Sequence, residues 1–163
     1  MKKNIYILIC FLFFITPISA MEIQGGVKYD VDSAREYVQE GQVNNVEITG
    51  PFRFEANNAD KVVYSYNNSG DVVGITVGYI NEHKKAYIYD KRGNLIYMDN
   101  YDKSVDIYPH RGYRYKMDGT LDLTTLTVSK NEQFRFTPDG RLLAHAVNGV
   151  IYDESGNVIG SSK

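Results

Sequence analysis

The chain has no tryptophan, one cysteine and four prolines in 163 residues. The cysteine, Cys10, sits inside an apolar run from Ile5 to Ile15, within the first twenty residues. If that segment leaves on export, the remainder has no disulfide, no thiolate metal ligand and no cysteine nucleophile. An excess of either charge is also lacking, with 18 basic against 20 acidic residues. The formal net charge is −2, and it becomes more negative without Lys2 and Lys3. Such a balance gives no pull toward phosphate backbones or anionic lipid, so nucleic acid is not an expected partner. Beyond residue 20 no apolar stretch is long enough to span a bilayer. A chain built this way must hold itself together by packing alone.

The start of the chain reads as a secretory signal peptide: Lys2-Lys3, the apolar run, then Thr16-Pro17-Ile18-Ser19-Ala20. Cleavage is expected after Ala20. Cys10 follows Ile9 inside the apolar run, which excludes a lipoprotein modification site. The expectation is a secreted or periplasmic bacterial protein with no membrane span after cleavage. Residues 21–163 then form one domain, with a helix-containing lead-in over 21–50 and repeats over 51–163.

The repeat is an aromatic pair followed at fixed distance by glycine and an aliphatic residue. Tyr64-Ser-Tyr66 precedes Gly70 and Val72. Tyr87-Ile-Tyr89 precedes Gly93 and Leu95. Tyr113-Arg-Tyr115 precedes Gly119 and Leu121. Phe134-Arg-Phe136 precedes Gly140 and Leu142. Val150-Ile-Tyr152 precedes Gly156 and Val158. A weaker copy begins at Phe52-Arg-Phe54, with Asn58 where the glycine should be. Aromatics at i and i+2 share one face of a strand. The four residues ending in Gly fit a type I turn closed by a left-handed residue and a G1 bulge. Asn67, Asp90, Thr137 and Asp153 open four of these turns, and Asn and Asp suit that position.

This register pairs Tyr66 with Val72, Tyr89 with Leu95, Tyr115 with Leu121, Phe136 with Leu142 and Tyr152 with Val158. One step further out it sets Tyr87 against Tyr97 and Phe134 against Ala144. Each hairpin thus carries aromatic-on-aliphatic pairs on one face, each worth about 0.2–1 kcal/mol beyond an Ala–Ala pair. The glycines recur every 16 to 26 residues, which leaves room for a return strand and a connection. The fold class is all-β, an antiparallel meander of about five hairpins and roughly ten strands, with one short N-terminal helix. That helix is expected from Ala34 to Glu40, capped by Ser33 with Glu36 reaching back and stopped at Gly41. Tyr37 and Val38 would cover a sheet face or edge. Val46, Ile48, Phe52 and Phe54 suggest the first strands, interrupted by Gly50-Pro51.

The segments Tyr89-Asp90-Lys-Arg-Gly93-Asn94-Leu95 and Tyr152-Asp153-Glu-Ser-Gly156-Asn157-Val158 resemble the YD repeats of RHS proteins. That resemblance covers residues 64–163. It implies a secreted or surface-associated hairpin array that forms shells or displays other domains. The repeat is also similar to MORN-type hairpins and to the choline-binding repeats of bacterial surface proteins. Choline-binding repeats box their ligand with tryptophan, which this chain lacks, so that likeness extends to the hairpin and not to the ligand cage.

Catalytic chemistry finds little to stand on. His83, His110 and His145 form no metalloprotease pair and read as surface histidines, with His145 on the face opposite Leu142. Asp99, Asp102 and Asp106 read as a solvated connection, since their spacing does not match a calcium loop. No serine sits in a nucleophile elbow. No catalytic residue, metal ligand or cofactor site is assigned. The aromatics at the repeat positions are expected to form the core. Tyr79, Tyr101 and Tyr108, outside those positions, are the candidate partner-binding residues, because tyrosine combines an apolar ring with a polar tip. The expected function is a non-enzymatic binding or structural module contacting a protein or glycan outside the cytoplasm. The alternatives are an inhibitor or immunity-type protein neutralising a toxin, and a small secreted hydrolase with an unrecognised acid pair.

Overall fold

The computed structural model describes residues 28–66 and 69–161. The expected signal peptide and the expected turn opener Asn67 lie outside the described residues. Ten strands form one antiparallel sheet in chain order: β1 (Ala59–Tyr66), β2 (Val72–Tyr79), β3 (Lys85–Tyr89), β4 (Leu95–Tyr101), β5 (His110–Lys116), β6 (Leu121–Ser129), β7 (Glu132–Phe136), β8 (Leu142–Val147), β9 (Val150–Tyr152) and β10 (Val158–Ser161). The meander is therefore the one the repeat spacing implies. The five repeat hairpins are β1–β2, β3–β4, β5–β6, β7–β8 and β9–β10. Asn148-Gly149 joins β8 to β9 with both residues left-handed, a pair that two-residue hairpins favour.

All five repeat glycines have φ between +77° and +88°, which only glycine reaches without cost. At four turns both expected bonds are present. At the second, Gly93 donates to the Asp90 carbonyl and Asp90 donates to the Asn94 carbonyl, each at 2.9 Å. The five aromatic–aliphatic pairs beside the turns are all as expected, from Tyr66 opposite Val72 to Tyr152 opposite Val158.

The register one step further out differs. In every hairpin the return strand carries a second extra residue: Val73, Ile96, Asp122, Leu143 or Ile159. A one-residue insertion exchanges the two faces beyond it. Tyr87 therefore lies opposite Met98, not Tyr97, and Phe134 opposite His145, not Ala144. His145 thereby joins the face of Leu142 and stacks on the Phe134 ring, with centroids 3.9 Å apart. Ala144 and Ala146 turn to the other face and pack with Ile151.

The first face carries the core. Tyr87, Tyr89, Leu95, Met98, Tyr115 and Leu121 form one buried cluster. Leu126, Phe134, Phe136 and Leu142 form another with Ala34 and Val38 of α1 (Val31–Glu40). Three repeat aromatics depart from the expected core role, the first being Tyr64, which is exposed on β1. Tyr66 is 52% exposed on the edge strand β1, and Tyr152 is only half-buried. All three lie in terminal hairpins, where fewer elements cover them.

Helix α1 begins one residue after Asp30, not after Ser33. The Asp30 carboxylate accepts from the Ser33 amide (2.8 Å), and Asp30 donates its own amide to the Ser33 hydroxyl (3.0 Å). The cap is Asp30, and the partner in the box is Ser33 where Glu36 was expected. Val38 and Ala34 are fully buried against β6–β8, and Tyr37 packs beside them. The helix thus covers a sheet face.

Residues 41–58 form no strand of the sheet, contrary to the expectation for Val46, Ile48, Phe52 and Phe54. They run as a strap along the hairpin tips, touching the sheet at isolated bridges between Asn45 and Thr120 and between Arg53 and Asn94. The residues under the strap and the helix end explain why three core positions are tyrosine. Tyr89 donates its hydroxyl to the Pro51 carbonyl (2.8 Å) and Tyr115 donates to Val43 (3.0 Å). Tyr113 donates to Val38, in the last turn of α1 (3.0 Å). Strap carbonyls and the last carbonyls of a helix lack ladder partners, and a buried unpaired carbonyl is costly. Tyrosine fills the core with its ring and satisfies the carbonyl with its tip. Phe134 and Phe136 lie under the body of α1, whose carbonyls are already bonded, and need no hydroxyl.

Candidate functional site

The second face of the sheet is built from the residues between the aromatics. It carries Lys61 and Val63 on β1, Thr76 and Gly78 on β2, Ala86 on β3, Asp99 and Tyr101 on β4, Gly112 and Arg114 on β5, Thr125 and Thr127 on β6, and Gln133 and Arg135 on β7. Neither α1 nor the strap lies on it. Its cover is the β4–β5 connection, residues 102–109.

That connection is bolted at its neck. Asp102 accepts the Arg111 amide at 2.8 Å and donates its own amide to the Arg111 carbonyl at 3.2 Å. Lys103 donates to the Pro109 carbonyl at 2.9 Å, and Lys84 donates to the Asp102 carbonyl at 3.0 Å. The Tyr108–Pro109 peptide is cis. Tyr108 stacks on His110 with centroids 5.5 Å apart, and Tyr101 meets the same imidazole edge-on at 5.6 Å. His110 is buried, not a surface residue, and burial holds its pKa below the ordinary imidazole value.

Gly112 makes the Tyr101 position possible. It lies directly opposite Tyr101 on the neighbouring strand. A Cβ there would collide with the Thr125 hydroxyl and come within 3.0 Å of the Tyr101 ring. The ring covers the gap that the glycine leaves, a device seen where a strand glycine would otherwise expose backbone. Beside it, Arg114 forks onto Asp99, donating through Nε at 2.8 Å and Nη2 at 2.9 Å. Asp99 is thus a buried strand residue with both oxygens engaged, not part of a solvated loop. Burial works against the Arg114 charge, but Asp99 more than offsets it and the guanidinium is held firmly protonated. The Tyr101 phenol is pushed well above its ordinary pKa by burial and by Asp99. Gln133 links the array sideways, donating to Thr127 at 3.0 Å and accepting from Arg135 at 2.9 Å.

Tyr101 and Val105 separate two depressions. The smaller, about 70 Å³, is lined by Asp99, Tyr101, Tyr108, His110, Arg114, Thr125 and Gln133 among others. The larger, about 400 Å³, lies over β1–β3. Its floor includes Val63, Thr76, Gly78 and Ala86, and its rim carries Asp60, Lys61, Glu82, His83, Lys85 and Asp106. A Cβ on Gly78 would meet nothing within 4 Å, so the floor is open there. A volume of this size with an uncharged floor and a rim of charged and polar side chains matches the general build of small-ligand and anchor-residue pockets.

The structure brings the three sequence-predicted tyrosines to these depressions in different ways. Tyr101 is half-buried and borders both; Tyr108 is 42% exposed and borders the smaller. Tyr79 is buried at the end of β2, not on the surface, with its hydroxyl 3.0 Å from that of Tyr89 and its ring edge-on to Tyr87. It supports one end of the larger depression and offers no exposed ring. Gly112 and Arg114 were not singled out from sequence, and Asp99, His83 and Asp106 were singled out only as solvated or surface residues. A glycine inside a strand and beside an aromatic residue, as in His110-Arg-Gly112-Tyr113, is the one local signal of close approach.

Among the described residues, no three His, Cys, Asp or Glu side chains are grouped to hold a metal ion, and no helix is long and apolar enough to cross a membrane. Comparison with protein-family models, with curated proteins and with solved structures finds no match to this chain.

Proposed function

We propose that the chain is an exported, non-enzymatic binding module that uses the second face of its sheet to hold a protein or glycan outside the cytoplasm. The observation that carries this reading is the pair of depressions flanking Tyr101 on the face that the helix and strap leave uncovered. The side chains there are held in place before any partner arrives: Tyr101 by Gly112 and His110, Arg114 by Asp99 and Gln133 by Thr127. Preorganisation of this kind lowers the ordering cost of association. Export rests on the Lys2-Lys3 start, the apolar run and Ala20. The YD-like turns agree with a surface-associated role.

The test is capture from envelope extract with the mature protein, repeated with Tyr108→Ala and Lys61→Glu. Both variants should lose the captured partner while keeping the parent's melting temperature. Capture unchanged by either substitution would remove the second face from the account. An intact Met1 recovered in the membrane fraction would remove export.

A further inference from the structure

The strap grips two hairpin tips in the same way. At the second hairpin Phe54 donates its amide to the Gly93 carbonyl (2.9 Å), and the Phe52 carbonyl accepts from the Leu95 amide (3.0 Å). At the third, Val46 donates to Gly119 (3.0 Å) and Asn44 accepts from Leu121 (2.9 Å). One extended segment thus runs antiparallel to the residues after the turn glycine. It takes the glycine carbonyl and the amide two places on. At the fourth hairpin the Arg35 side chain takes the Gly140 carbonyl instead (2.6 Å).

The fifth hairpin offers the same pair, the Gly156 carbonyl and the Val158 amide. Among the described residues nothing from the strap reaches them. A Cβ on Gly156 would meet nothing within 4 Å, whereas one on Gly93 would meet Phe54 at 3.4 Å. Among the described residues β10 is the last strand of the sheet, so this ladder lies on an open edge. Edges are usually guarded by charge or proline. The opposite edge strand, β1, carries Asp60 and Lys61, but β10 reads Val-Ile-Gly-Ser. Val158 and Ile159 are 65% and 50% exposed.

The second hairpin also shows what would fit. Its turn and the fifth share the order Tyr-Asp, two residues, Gly-Asn and an aliphatic. They share the bonding too. Asp90 accepts the Arg92 and Asn94 amides and the Asn94 side chain, and Asp153 accepts the Ser155 and Asn157 amides and the Asn157 side chain. The second turn holds Phe52-Arg53-Phe54, with Arg53 opposite Asn94. Over residues 150–161 the charges are Asp153 and Glu154, with no cation. We infer that the fifth turn and the β10 edge take an extended segment of a partner protein, in an aromatic–basic–aromatic pattern, antiparallel to β10. Strand addition at a sheet edge supplies the backbone bonds, and the acidic turn selects the basic centre.

The probe is a synthetic peptide copying residues 49–56, titrated into the full chain while backbone amide shifts are followed. Saturable shifts confined to residues 156–161 are expected. They should vanish for a peptide N-methylated at the Phe54 amide. They should weaken at least tenfold for one with Arg53→Glu. The Val158→Pro chain, which lacks the amide donor at the terminal strand, should melt as the parent does and bind no peptide. Shifts at residues 93–95 instead would show the peptide merely displacing the strap and would overturn the proposal. So would a Val158 amide protected from exchange before peptide is added, since the edge would then already be filled by residues 21–27 or by a second copy. Equal binding of the Arg53→Glu peptide would overturn the choice of a basic partner.

Discussion

The two faces of this sheet come from the same strands and the same repeats, yet they are built by opposite means. On the first face, aromatics at alternate positions are buried by a helix and a strap, and several tyrosine tips bond to strap or helix carbonyls. On the second, small residues and fixed ion pairs leave depressions open to solvent. The difference teaches that a hairpin repeat can divide its labour by strand parity. One set of alternate positions holds the fold, and the other is free to differ from hairpin to hairpin.

The sharpest way to break the comparison is at the strap. Gly119 has φ +82°, and a Cβ there would collide with the Val46 carbonyl. Gly119→Val therefore combines left-handed strain with overpacking, each costing about 1–3 kcal/mol. Gly156→Val, at the same turn position with open space around it, carries only the strain. Urea denaturation should find Gly119→Val the worse by the second of these amounts. Equal losses would mean that the strap contributes nothing to stability.

A smaller effect is expected at the tyrosine tips. Tyr89→Phe keeps the ring but leaves the Pro51 carbonyl without its donor, costing about 1–3 kcal/mol. The same change at Tyr66, which is exposed, should fall within about 0.5 kcal/mol of the parent. Thermal unfolding of the two variants checks the difference.

Alkali gives the gentlest probe. Burial first, then neighbouring hydroxyls and carboxylates, raises the Tyr87 and Tyr89 phenols above their ordinary pKa, and pushes Tyr113 up to about 12. A raised folded value means the fold favours the protonated phenol. That stability is complete below the unfolded phenol value of about 10 and fades as pH rises through the folded values. Stability measured from pH 9 to 12 should therefore fall. Replacing the exposed Tyr66 with Phe should leave that fall unchanged.

The turns were legible because only glycine serves a left-handed site, so spacing alone locates them and the pairs beside them. The second bulge was not. Val73, Ile96, Leu143 and Ile159 are aliphatic like the strand residues around them and Asp122 is not, so the insertion carries no side-chain mark that sets it apart from an ordinary strand position. For that reason the Tyr87 and Phe134 partners, and the face of His145, were misread. The strap was opaque because Val46, Ile48, Phe52 and Phe54 alternate as a strand would, although their partners are hairpin tips. Asp30 and Ser33 are both good helix caps, so local chemistry could not choose between them. Of the site, Tyr101 and Tyr108 were visible as aromatics outside the repeat. The Asp99–Arg114 fork and the larger depression were hidden, because they join residues of different strands whose pairing across the repeats has no mark in the local sequence.

The most direct test of the divided sheet is urea unfolding of Phe136→Ala beside Tyr108→Ala. Phe136 is fully buried on the first face, and Tyr108 is 42% exposed beside the second. The account predicts a loss of about 3–5 kcal/mol for Phe136→Ala and a change within about 0.5 kcal/mol for Tyr108→Ala. A Phe136→Ala chain as stable as the parent, or equal losses in the two variants, would contradict it.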